Sequence, residues 1–235
     1  MKSLKASQIK KIISGIILTD GHVDTKNCRF EFYTKSEQLC DDVTGVLQNI
    51  TGMHVNYKYD LKNNGHRIWT RKHAYWDNLR HQFYSNRKYL SKYNVSRLDH
   101  ISFAYMWMCD GYLEHAKNRK TNKIQNIGWF CLEAFPKEEL EIFQARLLEF
   151  GVGSSLVKKP WGFGYRIRIG GDNLQKFISL IYDYILDDFK YKTVLFYKSE
   201  KNMNMNLSSA EHIFKIYKDV DDIVRHSKEL EKTNG

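Results

Sequence analysis

A chain of 235 residues with 42% hydrophobic and 14% aromatic content is long enough for a real core and too aromatic to be a disordered basic tail. Its 37 Lys and Arg outnumber 27 Asp and Glu, giving a net charge of +10 that points to a polyanionic partner, nucleic acid first. Cys28, Cys40, Cys109 and Cys131 form no C-x-x-C pair and have no His at zinc-finger spacing, which excludes a structural zinc module and predicts reduced, mostly buried thiols.

From Ser7 onward, Ile9, Ile12, Ile13, Ile16 and Ile17 mark a helical stripe that stops at Asp20-Gly21. The interruption leaves it too short for a membrane span, and no signal-peptide cleavage site follows, so the protein is expected to be intracellular and soluble. Residues 28–34 alternate with period two, placing Phe30 and Phe32 on one face of a strand and Arg29, Glu31 and Tyr33 on the other. Ser36 and Glu37 open a second helix to about Ile50. The alternation of Val55, Tyr57, Tyr59 and Leu61 with Asn56 and Lys58, the turn Asn63-Asn64-Gly65 and a return over His66 to Thr70 predict a hairpin. A third helix, about His73 to Ser85, carries Trp76, Leu79 and Phe83.

The order then repeats. A helix from about Leu98 to Cys109 ends at Asp110-Gly111, a strand runs from about Asn126 to Ala134, and Pro136 starts a helix whose buried face is Leu140, Phe143, Leu147, Leu148 and Phe150. Ser155 to Lys159 and Gly164 to Ile169 form a second hairpin, with Arg166 and Arg168 facing out. Asp172 or Asn173 caps a helix to about Leu186. Periodicity thus gives α-β-α-β-β-α twice. The tail is expected to be helical from the capping box Ser208-Ser209-Ala210-Glu211 to about Leu230.

Two phrases stand out: Ile13-Ser14-Gly15-Ile16-Ile17-Leu18-Thr19-Asp20-Gly21 and Phe103-Ala104-Tyr105-Met106-Trp107-Met108-Cys109-Asp110-Gly111. Each is a run of apolar and small residues fit for burial, yet each ends in an acid whose unpaired burial would be costly. Their spacing at the heads of two repeats indicates an internal duplication that brings Asp20 and Asp110 together on a pseudo-twofold axis.

These phrases, with Leu98-Asp99-His100-Ile101-Ser102 before the second and Phe135-Pro136-Lys137-Glu138-Glu139-Leu140 after it, resemble the LAGLIDADG homing endonucleases in their single-chain, two-motif form, most like the I-SceI type. The resemblance implies an α+β fold of two pseudo-symmetric αββαββα-like repeats with a saddle of two antiparallel sheets. The half-domains would be residues 1–96 and 97–200, followed by a helical extension, 201–235. In such a fold the motif helices pack side by side, which small residues such as Ser14, Gly15 and Ala104 permit; Tyr105 stands where the family phrase has Gly. The additional strand after each motif helix would begin at Gly21-His22-Val23 and Gly111-Tyr112-Leu113.

By the same resemblance Asp20 and Asp110 would bind Mg²⁺, for which Mn²⁺ could substitute, between two scissile phosphates of double-stranded DNA. Lys192 and its first-half counterpart Lys88 would stabilise the developing charge. The outward-facing candidates for DNA contact are Arg29, Glu31, Tyr33, Asn56, Lys58, Arg67, Arg71, Glu133, Lys158, Arg166 and Arg168. The implied function is a monomeric, site-specific homing endonuclease with a long asymmetric target. The alternatives are an intron maturase of the same fold that binds RNA, and a DNA-binding derivative that does not cut.

Overall fold

A computed structural model describes residues 4–24, 26–117, 124–159, 162–197 and 214–216. The first repeat is α1 (Ala6–Leu18), β1 (His22–Asp24), β2 (Arg29–Thr34), α2 (Glu37–Gln48), β3 (Val55–Asp60), β4 (Gly65–Thr70) and α3 (Ala74–Phe83). After a short helix α4 (Lys92–Val95), the second repeat is α5 (His100–Asp110), β5 (Gly111–Lys117), β6 (Ile124–Phe130), α6 (Lys137–Glu149), β7 (Ser155–Lys158), β8 (Tyr165–Gly170) and α7 (Asp172–Ile181). Each repeat is therefore αββαββα. The sheets share one topology, β1-β2-β4-β3 and β5-β6-β8-β7, with every pairing antiparallel.

The apolar phases of the strands and helices meet as expected. Phe30, Phe32 and Ile68 of one sheet and Phe130, Ile167 and Ile169 of the other are buried, each set under its own helices, and Trp76, Leu79 and Phe83 fill the floor of the first half. Several boundaries differ from the periodic reading. The strand expected over 126–134 ends at Phe130, because the Cys131 N–H turns to bond the carbonyl of Asp110 at 2.9 Å. The helix expected to reach Leu186 stops at Ile181, and 3-10 turns Tyr182–Tyr184 and Asp187–Thr193 follow. Leu148, expected inside, is 65% exposed. Cys40 is buried while Cys28, Cys109 and Cys131 are half-buried, and all four are free thiols. In the tail, Phe214–Ile216 is a strand, β10, parallel to β9 (Leu195–Tyr197), rather than helix; the rest of the expected helix lies outside the described residues.

Motif helices α1 and α5 join the halves through close backbone approach. A Cβ added to Gly15 would lie 2.5 Å from the carbonyl oxygen of Ser102, so only glycine fits there without shifting a helix. The Ser102 hydroxyl donates to the Lys11 carbonyl at 2.9 Å, and the Lys11 ammonium pairs with Asp99 at 3.2 Å. Tyr105 does not hold the helices apart: it is buried away from that seam, and its hydroxyl donates to Asp42 on α2.

Candidate active site and nucleic-acid interface

At the C-terminal ends of the motif helices the chain leaves helical geometry just before one acid and just after the other. Helix α1 closes at Leu18 with Thr19 as its cap, so Asp20 sits in the turn; α5 runs through Asp110 and caps at Gly111. Asp20 keeps a solvent-exposed face and Asp110 is half-buried. Removal from bulk water is the first cause that raises both carboxylates above their ordinary range, and the negative charge of Asp20 pushes Asp110 further, to about 7. The Cys109 thiol lies against Thr19 and Asp20 and is raised, first by burial and then by the acids.

Lys88 and Lys192 enter the same site from opposite halves. The Lys88 ammonium donates to the Thr19 carbonyl at 2.6 Å, and the Lys192 ammonium donates to the Met108 carbonyl at 2.8 Å and the Trp107 carbonyl at 3.4 Å. Each cation thus donates to a carbonyl at a helix end, the Trp107 carbonyl also accepting the Gly111 N–H, and meets the negative end of that helix's dipole. Burial pulls both ammonium groups below their usual range, while Asp110 and Asp20 pull them back up. Trp107 returns the contact by donating its Nε1–H to the Lys192 carbonyl at 3.1 Å. A cleft of about 340 Å³ opens beside this cluster, lined in part by Thr19, Lys88, Asp110 and Cys131.

The raised carboxylates predict how the metal-free protein responds to pH. A native pKa of about 7 for Asp110, against 3.8 in the unfolded chain, means that the folded state holds a proton the unfolded state releases. Stability contributed by this group is fully present below 3.8 and is lost as pH rises toward about 7. Thermal melts of metal-free protein are expected to show this decline over that window, and Asp110→Asn should flatten it.

The strands carry most of the sequence-predicted contacts to one outer face. In the first sheet Glu31 lies opposite Trp69, Tyr33 opposite Arg67, Arg67 opposite Lys58, and Trp69 opposite Asn56. Arg29 shares that phase, and Arg71 extends it just past β4. In the second sheet Arg168 lies opposite Trp129 and Ser155, and Arg166 opposite Val157.

Lys158 departs from the expectation: it lies opposite Tyr165, on the phase of Leu156 and Ile167, and is exposed because β7 is an edge strand. Glu133 lies in the turn after β6, not in a strand. The acids on this surface hold arginines. Glu31 pairs with Arg29 at 2.5 Å and Arg67 at 2.6 Å, while Glu133 pairs with Arg166 and, at 3.7 Å, with Lys159. Tyr33 donates to the Asn63 carbonyl at 2.9 Å and so steadies the β3–β4 turn, and the Asn56 amide reaches the Trp69 carbonyl at 3.3 Å.

Tyr112, Glu114 and Trp129 stand outside the set of contacts expected from the sequence. They share the outer face, with Trp129 donating to Glu114 at 2.7 Å and Arg166 to Tyr112 at 3.2 Å. Arg168 lines a polar cavity of about 530 Å³ with Gln125 and Ser155.

Two repeats joined at paired helices, with an acid at each helix end and a polar sheet face on either side, define the two-motif LAGLIDADG architecture. A model of the LAGLIDADG DNA endonuclease family matches residues 10–177, across both motif helices, and the chain belongs to this family. Among solved structures, the chain is similar to the homing endonuclease I-WcaI bound to its DNA recognition sequence, with 23% identity and a TM-score of 0.64 over 80% of this chain and 86% of that one. It is also similar to the N-terminal LAGLIDADG domain of DUF199/WhiA, at 10% identity and a TM-score of 0.50 over 81% of this chain and 89% of that one. Full-length DUF199/WhiA from Thermatoga maritima gives 12% identity and a TM-score of 0.51 over 98% of this chain and 69% of that one. No curated protein matches the sequence. Among the described residues no helix is long and apolar enough to cross a membrane.

Proposed function

We propose that this chain is a site-specific endonuclease that hydrolyses both strands of double-stranded DNA, using a divalent cation held by Asp20 and Asp110. One observation carries the reading: two motif helices bring Asp20 and Asp110 together, both raised above their ordinary range, and Lys88 and Lys192 reach the ends of those helices from segments outside them, beside a cleft lined by Lys88 and Asp110. Among the described residues no cluster of three or more His, Cys, Asp or Glu could hold a metal, so the protein would offer two carboxylates and leave the other positions to water and phosphate oxygens. That donor set fits Mg²⁺, which keeps several waters and uses one or two carboxylates with substrate phosphates; Mn²⁺ accepts the same oxygens.

When bound, the cation would lower the pKa of a water and neutralise the leaving 3′ oxygen. Asp20 and Asp110 would hold it, and Lys88 and Lys192 would offset charge that develops around phosphorus. The sheet faces then set where cleavage occurs. Arg29, Arg67 and Arg166 are already held by Glu31 and Glu133, so they approach DNA pre-oriented for guanine edges or phosphates. The two faces differ residue by residue, so the target is long and asymmetric, and one chain supplies both halves as a monomer.

The test is incubation of purified protein with Mg²⁺ and a plasmid library carrying randomised inserts, followed by sequencing of linearised molecules. A recurrent asymmetric site supports the reading. Tight binding of an intron RNA with accelerated splicing and no DNA cleavage would replace it with the maturase reading. Affinity for the selected DNA should fall by roughly 10³-fold between 50 and 200 mM salt, measured by fluorescence anisotropy, because lysine and arginine contacts release condensed counterions.

A further inference from the structure

We propose that each half of the chain positions the lysine of the other half: Glu139 sets Lys88, and Ser36 with Gln38 sets Lys192. The inference rests on the reading of these lysines as groups that act at the cleft.

Lys88 follows α3 in a stretch whose regular pairing is one bridge to Tyr84. Its own half holds this segment through the Tyr89 N–H to the Phe83 carbonyl at 3.1 Å and the Asn94 amide to the Tyr89 carbonyl at 2.9 Å, and a further brace comes from across the molecule. Glu139, in the first turn of α6, accepts the Leu90 N–H at 2.8 Å and the Arg87 guanidinium at 2.5 and 3.3 Å. Arg87 in turn donates to the carbonyl of Lys88 at 2.5 Å. One carboxylate of the second half therefore grips residues before and after the first half's lysine.

The opposite side repeats the arrangement with different chemistry. Lys192 stands in the 3-10 turn Asp187–Thr193. In that turn the Asp188 carboxylate accepts the Ser36 hydroxyl at 2.7 Å, and the Asp188 N–H donates to the Gln38 side-chain oxygen at 2.9 Å. Ser36 and Gln38 sit at the start of α2, the helix that corresponds to α6 in the repeat. Ser36 also caps α2 by accepting the Leu39 N–H at 3.0 Å, so the helix end and the turn that carries the lysine share one hydroxyl. An acid with a guanidinium on one side and a hydroxyl with an amide on the other thus stand at the start of corresponding helices, each against the partner half's lysine segment.

These are positioning residues, and the expected effect is geometric. A displacement of about 1 Å at a reacting group can cost on the order of 10²-fold in rate. Because each brace serves one lysine, its loss should slow one strand.

The test is strand-resolved cleavage of a supercoiled plasmid that carries the site selected from the library. Wild type is compared with E139A, with the double variant S36A/Q38A, and with E139Q, whose amide oxygen can still accept the Leu90 N–H. Glu139→Ala should slow one strand at least about tenfold, accumulate nicked circles and leave affinity within about twofold. S36A/Q38A should slow the other strand, and E139Q should recover part of the lost rate; if E139A does not fold, E139Q and S36A/Q38A make the same comparison. Equal slowing of both strands, slowing of the same strand by both sets, or unchanged rates would overturn the proposal while leaving the nuclease reading intact. A wild-type protein that linearises no plasmid in the library would overturn both.

Discussion

Asp20→Asn and Asp110→Asn should each lower strand cleavage by on the order of 10²–10³-fold while leaving DNA affinity within a few-fold. The substitutions keep side-chain volume and hydrogen-bonding capacity but remove the charge that a hard cation requires. Affinity is set elsewhere, by the sheet faces and their basic residues, so it should persist. The same variants should be more stable than wild type in the absence of metal above pH 7. Desolvation makes each ionised carboxylate unfavourable there, the negative charge of Asp20 adds to that cost at Asp110, and the pKa of Asp110, raised to about 7, reflects it. At about 1.4 kcal/mol per pKa unit, relief by Asp110→Asn is on the order of a few kcal/mol. Mg²⁺ should stabilise wild type and not D20N/D110N. Calorimetry with and without Mg²⁺ measures both effects, and a metal-free Asp110→Asn protein that melts below wild type would contradict the assignment.

Substitution at Gly15 should cause a large loss of fold stability. The neighbour a new Cβ would meet at 2.5 Å is the backbone oxygen of Ser102, which can yield only if α5 moves as a body. Interiors packed this tightly lose about 1–3 kcal/mol to an inserted methyl, and Gly15→Val should lie at or beyond the upper end. The gain in helix propensity from Gly to Ala, up to about 1 kcal/mol, offsets part of the loss for Gly15→Ala. Because α1 and α5 carry Asp20 and Asp110, widening the helix seam should also reduce cleavage in protein that remains folded. Urea denaturation gives the stability change; a Gly15→Val variant as stable as wild type would show that the seam is looser than the close approach implies.

The architecture was legible wherever one face of an element is buried. Ile9 to Ile17, Phe30 with Phe32, and Ile167 with Ile169 announce their elements because burial imposes a period. The strand after each motif helix was not legible from periodicity. β1 spans three residues, too few to establish alternation, and β5 places polar His115 on the inner phase beside Leu113. The resemblance supplied what the pattern lacked. Lys158 lies on the phase of Leu156 rather than the expected outer phase, and hydropathy does not mark this because edge strand β7 exposes residues of both phases. For Glu31 a local signal existed, an acid two residues from Arg29 on the same strand face, which suggests an internal pair as readily as a DNA contact. The acids at the helix ends could be named from the motif phrases, but nothing local could reveal that Lys88 and Lys192 reach the carbonyls of Thr19 and Met108, which depends on how distant segments fold back.

The most direct measurement is linearisation of a plasmid bearing the selected site by wild type and by D20N/D110N, in Mg²⁺ and in EDTA, with binding followed in parallel. Wild type should linearise the plasmid in Mg²⁺ only, and D20N/D110N should bind the same DNA and leave it supercoiled. Cleavage by D20N/D110N at the wild-type rate, or wild-type cleavage that persists in EDTA, would contradict a metal site built from these two carboxylates.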